Sequence, residues 1–348
     1  MDLDAAHRRA QIFRLAFGMT LSAGIALGLA WPLAWITPVV AAKLLTLPKV
    51  MPFKGALAFV ALASGSLLLS ARLLLPTLSY PAVHLLLTAL ILFLLFYAKA
   101  DGTNPVLVVL LLIGVVAVPL IGTVSETLAR AATEGLIFDI VVAVAMVYAA
   151  AAAFPDPPLF GPTVASADSG RGGGTAGGDA HPSPRVRTAL ALRSLVVLYP
   201  LVVVIQLFSL MDFAVVLIMA SLLAMEPTFG KHLEVGKGLI LANLAGGLVA
   251  LAIYQLLVLV PSFTFFLLLI LLAGLWAGGW IFSDRPLGKL LGAGITAVFI
   301  ILGPVVTGDA EAGAQLVVRL TMIMGAVVYV VLAFGLLERL TRGRRRTV

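Results

Sequence analysis

The chain has 348 residues, 61% of them hydrophobic and 11% charged, with a mean hydropathy of +1.14 and a net charge of +7. Soluble domains run near half apolar and a quarter charged, so this composition excludes a soluble enzyme, a disordered chain and a secreted disulfide scaffold, and leaves a polytopic all-α membrane protein. There is no cysteine, which removes disulfides, thiolate metal sites and thiol catalysis. His7, His84, His181 and His232 stand too far apart for a helical ligand pair, so neither a metal nor a cofactor is expected.

A membrane helix needs ~20 largely apolar residues. In chain order the stretches that qualify are 12–30, 33–48, 55–75, 82–98, 104–124 and 133–153, then 190–209, 212–228, 237–259, 263–282, 287–306 and 316–336. Breaks fall at Trp31-Pro32, at Pro48 to Pro52, at Thr77 to Pro81, at Lys99 to Asn104 and around Glu126 to Glu134. Spans 2 and 8 are short, and each reads as a tilted span or a broken helix, so the count lies between ten and twelve. No cleaved signal is seen in the leading MDLDAAHRRAQIFR. With twelve spans and a cytoplasmic N-terminus, all of the 23 Lys and Arg fall on the cytoplasmic side except Arg72, Arg130 and Arg319. That bias is the positive-inside rule, and it puts both termini in the cytoplasm.

Residues 154–188 interrupt the pattern with Pro, Gly, Ser and Asp and read as a flexible cytoplasmic linker. They divide a first membrane half, 1–153, from a second, 189–348, which ends in a basic tail. Sliding the chain on itself so that Arg14 falls on Arg193 also brings Pro48 onto Pro227 without a gap. Slightly longer displacements set Lys54 on Lys237 and Glu126 on Glu311. Six spans per copy is an even number, so the reading is a parallel repeat about an axis along the membrane normal.

Two segments carry a family resemblance. Residues 14–48, RLAFGMTLSAGIALGLAWPLAWITPVVAAKLLTLP, join an Arg-headed apolar helix to a short Pro-bounded one. Residues 226–250, EPTFGKHLEVGKGLILANLAGGLVA, join a Pro, a cationic loop and a small-residue helix. Both resemble the fusaric-acid-resistance-like (FUSC) superfamily of aromatic acid exporters. The resemblance implies two six-helix halves around a pathway for organic anions, in a proton-coupled transporter of the bacterial inner membrane. It also implies a periplasmic adaptor of the membrane-fusion type and an outer-membrane channel as partners. Unlike the larger exporters, this chain has only the linker and a short tail in place of cytoplasmic domains.

An anion inside the membrane needs cationic or dipolar partners. Arg14 and Arg193 start spans 1 and 7 and are expected to form the cytoplasmic entry. The plainer reading is interfacial anchoring. Lys43 lies inside the apolar run of span 2, and Pro38 interrupts that span. Lys54 and Lys237 open helices against the dipole, and Glu226 beside Pro227 faces the same pathway. These six are the candidate pathway residues. Proton coupling needs an intramembrane titratable group. Asp139, within GLIFDIVVAVAMVYAA, is the first candidate, with a structural pair to Arg72 or Arg130 as its plainer role. His84 at the outer start of span 4 is the second. Glu126, Glu311 and Arg319 are read as the periplasmic mouth.

Gln206, Asn243, Tyr254 and Gln255 are neutral polar groups inside spans and are not read as substrate ligands; an interhelical hydrogen bond accounts for Asn243 beside its small-residue run, and Trp31 and Trp35 fit an aromatic belt. No Walker loop is present, so transport draws on ion gradients. The main alternative is a passive organic-anion channel. A lipid-modifying enzyme lacks the carboxylate or histidine cluster it needs. A permease partner of an ATPase has only the loop PTFGKHLEVGKG as a coupling element.

Overall fold

The computed structural model describes residues 3–31, 33–47, 49–103, 105–155, 183–210, 213–225, 229–283, 285–306 and 312–345. Regular structure among the described residues is helical throughout. The helices are α1 (Leu3–Leu29), α2 (Ile36–Leu45), α3 (Phe53–Leu74), α4 (Pro81–Ala100), α5 (Pro105–Val124), α6 (Glu126–Ala153), α7 (Pro184–Leu207), α8 (Ala214–Ala224), α9 (Phe229–Leu259), α10 (Phe263–Ile281), α11 (Pro286–Val306) and α12 (Ala312–Arg345). Each predicted stretch therefore holds a helix. Eight of them, in α1, α3, α4, α6, α7, α9, α10 and α12, are long and apolar enough to cross a membrane. The shorter apolar segments are Ile36–Leu45, Leu111–Val124 and Leu290–Gly303. With 10 residues, α2 reaches only about 15 Å at 1.5 Å per residue, half of a hydrocarbon core of ~30 Å.

Several boundaries differ from the sequence reading, each for a local reason. The charged stretch after Val124 is not a break but the first turns of α6. Ser125 caps them, its hydroxyl accepting from the Leu128 N–H at 3.3 Å, and Glu126 and Arg130 pair one turn apart on the exposed face. Pro38 does not interrupt a helix. It sits in the first turn of α2, where a missing N–H costs nothing. α7 starts at Pro184, inside the stretch read as linker, again with proline in its first turn.

Helix contacts follow one scheme on both sides of residues 156–182. α1 packs on α2 and α6, and α7 on α8 and α12. α3 packs on α5 and α6, and α9 on α11 and α12. Two long contacts join the halves, α1 on α10 and α4 on α7, helped by α2 on α11 and α5 on α8. The cores reflect this exchange. One draws Leu92, Leu112, Leu198, Leu217 and Phe334 from α4, α5, α7, α8 and α12. The other draws Leu15, Ala143, Ile253, Phe266 and Phe299 from α1, α6, α9, α10 and α11. Neither large core belongs to one half.

Small residues set the closest approaches. A Cβ on Gly246 of α9 would run into the Gly294 carbonyl of α11, and one on Gly294 into the Ala242 carbonyl. Between α3 and α5, Ser70 Oγ donates to the Gly114 carbonyl at 2.6 Å, an inter-helix bond of the kind that binds helices where water is scarce.

A buried carboxyl at the break between α1 and α2

Asp139 lies thirteen residues into α6, about 20 Å along it at 1.5 Å per residue, and is 0% exposed. Its Oδ1 accepts two hydrogen bonds, from Trp31 Nε1–H at 2.9 Å and from the Thr37 hydroxyl at 2.6 Å. Its Oδ2 is buried with no hydrogen-bond partner among the described residues. No ion pair to Asp139 forms among those residues either. Arg130 pairs with Glu126, and Arg72 is exposed on α3. The carboxyl is thus held at one oxygen by neutral donors and left open at the other.

The chain between α1 and α2 supplies those donors through a strained backbone. Ala30 and Leu33 both have positive φ, 51° and 64°, a region that residues other than glycine seldom occupy, at a cost of order 1–3 kcal/mol. That turn brings the Trp31 indole onto α6, edge-on to Phe138 with ring centroids 5.2 Å apart. It also starts α2 at Ile36, so Thr37 stands in the first turn with the positive end of the helix toward the carboxyl. A mostly apolar cavity of about 550 Å³ is lined by Trp31, Leu33, Leu128, Glu134 and Phe138, so Trp31 borders both that cavity and the Asp139 carboxyl.

The arginines do structural work at the other end. Arg14 is buried, and its Nε and Nη2 donate to the Phe154 carbonyl at 3.3 and 3.1 Å, which closes the end of α6. Arg193 is half-buried and places its guanidinium 5.6 Å from the Phe334 ring centroid on α12. Each thus rests on the last helix of its own half. Nearer the helix ends, Arg8 donates to the Gly279 carbonyl of α10 at 3.0 Å, and Arg187 of α7 forms an ion pair with Asp101 at the end of α4.

Lys43, Lys54 and Lys237 are all exposed. Lys43 occupies the last turn of α2, where the dipole favours a cation. α9 begins at Phe229, so Lys237 does not open its helix as the sequence suggested. Glu226 and Glu311 lie outside the described residues. Glu126 is exposed and takes Arg130 Nη2 at 2.5 Å. Arg319 is not beside it. Its Nε donates to Asn243 Oδ1 at 2.9 Å, joining α12 to α9. His84 is buried between halves, its Nδ1 2.9 Å from the Thr77 hydroxyl and its Nε2 3.2 Å from Gln206 Oε1 on α7.

The sequence alone does not pair Trp31 and Thr37 with Asp139, because Trp31 fits an aromatic belt and Thr37 sits unmarked in an apolar run. The available signal was their position on either side of Pro32, within a break in the apolar pattern. Residues 11–150, covering most of α1 to α6, match the family described as a protein of unknown function (DUF2955). No curated protein and no solved structure matches the chain.

Proposed function

We propose that the chain is a secondary transporter of the bacterial inner membrane that exports aromatic carboxylic acids in exchange for protons, with Asp139 as the coupling carboxyl. One observation carries this reading: a fully buried carboxyl deep in α6, tied at Oδ1 by two neutral donors and unpartnered at Oδ2. An intramembrane carboxylate costs ~2.5–3.5 kcal/mol on insertion scales, and a purely structural one would be expected to meet a cation. A carboxyl anchored at one oxygen can take and release a proton at the other without losing its position. The non-helical chain between α1 and α2 beside it supports a binding site there, because such backbone at membrane depth is kept where it is buried in protein or lines a cavity.

The arrangement we propose is two parallel six-helix copies, with α2 and α8 as short helices and both termini in the cytoplasm. Matched features support it. Arg8 and Arg187 each bind the end of the helix that joins the halves, α10 and α4. Arg14 and Arg193 each bind the last helix of a half. Ala30 and Ser209, at corresponding places after α1 and α7, share φ of 51° and 50°. The substrate class and the adaptor and outer-membrane partners rest on the resemblance of residues 14–48 and 226–250 to FUSC-type exporters. Arg14, Arg193, Lys43, Lys54, Lys237 and Glu226 remain the proposed cytoplasmic approach, and Glu126, Glu311 and Arg319 the outer end.

The test is transport of 4-hydroxybenzoate in vesicles holding the purified protein, with an imposed pH gradient. Wild type should accumulate the acid against its gradient, and Asp139→Asn should not. Uphill transport by that variant would sink the coupling role. Flux in wild type that ignores the gradient would make the protein a channel.

A further inference from the structure

Arg319 lies well inside the bundle and not at its rim. α9 and α12 run antiparallel, and two contacts fix their register. A Cβ on Gly236 would stand 2.8 Å from Val327 Cγ1, and Arg319 Nε donates to Asn243 Oδ1 at 2.9 Å. In the apolar segment Gly236–Leu259 of α9, Asn243 comes seven residues after the first residue and sixteen before the last. At 1.5 Å per residue the pair is about 10 Å or more from either end of that segment. Arg319 also faces inward. It heads a stripe of α12 that continues through Ile323, Ala326 and Val330, all fully buried, whereas Val317, Val328 and Leu332 on the opposite face are at least half exposed.

An arginine at such depth is kept where it meets a partner or lines a pathway. Arg319 forms no ion pair among the described residues, and its hydrogen bond there uses Nε alone. Asn243 has nothing more to give, because its Nδ2 donates to the Leu239 carbonyl at 2.9 Å. The amide orientation is fixed by chemistry: a guanidinium only donates, so the Asn243 oxygen must face it. Nη1 and Nη2 have no partner among the described residues, and neither is sealed from access as Asp139 Oδ2 is.

We propose that the Nη1/Nη2 fork of Arg319 binds the carboxylate of a small organic acid between α9 and α12. With Nε held by Asn243, the end of the guanidinium presents two parallel N–H groups spaced for the two oxygens of one carboxylate. A neutral amide or ester leaves the charge uncompensated, and an organic cation is repelled. The inference deepens the transport reading and rests on it for the aromatic body of the acid. The charge of the ligand follows from Arg319 itself.

The experiment uses phenylglyoxal, which condenses with reachable guanidinium groups. It is added to the full-length wild-type protein in phosphatidylcholine nanodiscs, and modification at Arg319 is read by mass spectrometry. Arg319 should be modified, and saturating benzoate should slow its modification about tenfold or more. Benzamide, of the same shape but neutral, should not. Equilibrium binding of radiolabelled benzoate to the same discs should weaken about tenfold or more in Arg319→Gln, the worth of a charged hydrogen bond, and by less in Arg319→Lys, which keeps the charge but not the fork. The protection assay needs no variant, so it decides the matter if Arg319→Gln does not fold. No modification of Arg319, equal protection by benzamide, or unchanged benzoate affinity in Arg319→Gln would each overturn the proposal. Protection by phosphatidylglycerol in the discs with no effect of benzoate would assign the fork to a lipid headgroup and overturn it too. Protection by benzoate without gradient-driven transport would sink the exporter reading and leave this site standing, whereas uphill transport without protection would sink this site alone.

Discussion

Replacing Asp139 in two ways separates its charge from its hydrogen bonds. Asparagine keeps an oxygen for the Trp31 indole at 2.9 Å and the Thr37 hydroxyl at 2.6 Å, and puts an N–H₂ where Oδ2 had no partner. Leucine keeps neither acceptor. Both variants are neutral, so the cost of a charge in the membrane, ~2.5–3.5 kcal/mol, drops out of the comparison between them. What remains is one unpaired amide group in the asparagine variant against two unpaired donors in the leucine variant, at ~1–3 kcal/mol each. Asp139→Leu should therefore be less stable than Asp139→Asn by about 1–3 kcal/mol, and the asparagine variant should stay near wild type. The assay is reversible unfolding of the purified protein in mixed micelles, paired with vesicle transport. Equal stability of the two variants would refute the claim that Trp31 and Thr37 hold Oδ1.

Other expectations come from packing and charge. Arg14→Ala leaves the Phe154 carbonyl without its two donors and should cost ~1–3 kcal/mol in the same unfolding assay. In transport, Arg14→Ala with Arg193→Ala should weaken flux far more than either alone, whereas small additive effects would mark both as anchors. Gly294→Val drives a side chain into the Ala242 carbonyl and should cost ~1–3 kcal/mol or abolish folding. Gly65→Ala, with nothing within 4 Å of its Cβ, should stabilise α3 by up to ~1 kcal/mol, as read from the shift in unfolding midpoint. Asp101→Asn removes the partner of Arg187. Because Asp101 is half exposed, the stability change should stay within ~1 kcal/mol.

The helices were legible because each is an apolar run bounded by Pro, Gly or charge, and those signals are local. Asp139 was legible because a lone carboxylate inside GLIFDIVVAVAMVYAA is costly wherever the helix goes. Its partners were not, since Trp31 and Thr37 lie 108 and 102 residues away in sequence. Nothing in an apolar pattern says that α1 meets α10 and α4 meets α7, because every apolar face is equally sticky. Hence the link from His84 to Gln206 and the shift of Arg319 to Asn243 emerged only from the packing. Charge near a helix end is ambiguous in a simple way. The polarity of Glu126 and Arg130 suggests a loop, yet an i,i+4 pair on an exposed face sits comfortably in a helix.

The most direct test of the account is efflux of a panel of aromatic acids from a host lacking its own exporters of that class, with and without an uncoupler. The account predicts efflux of a hydroxybenzoate or fusarate-like acid that the uncoupler stops and that Asp139→Asn lacks. Efflux of the same acid at the same rate with the proton gradient collapsed would contradict it.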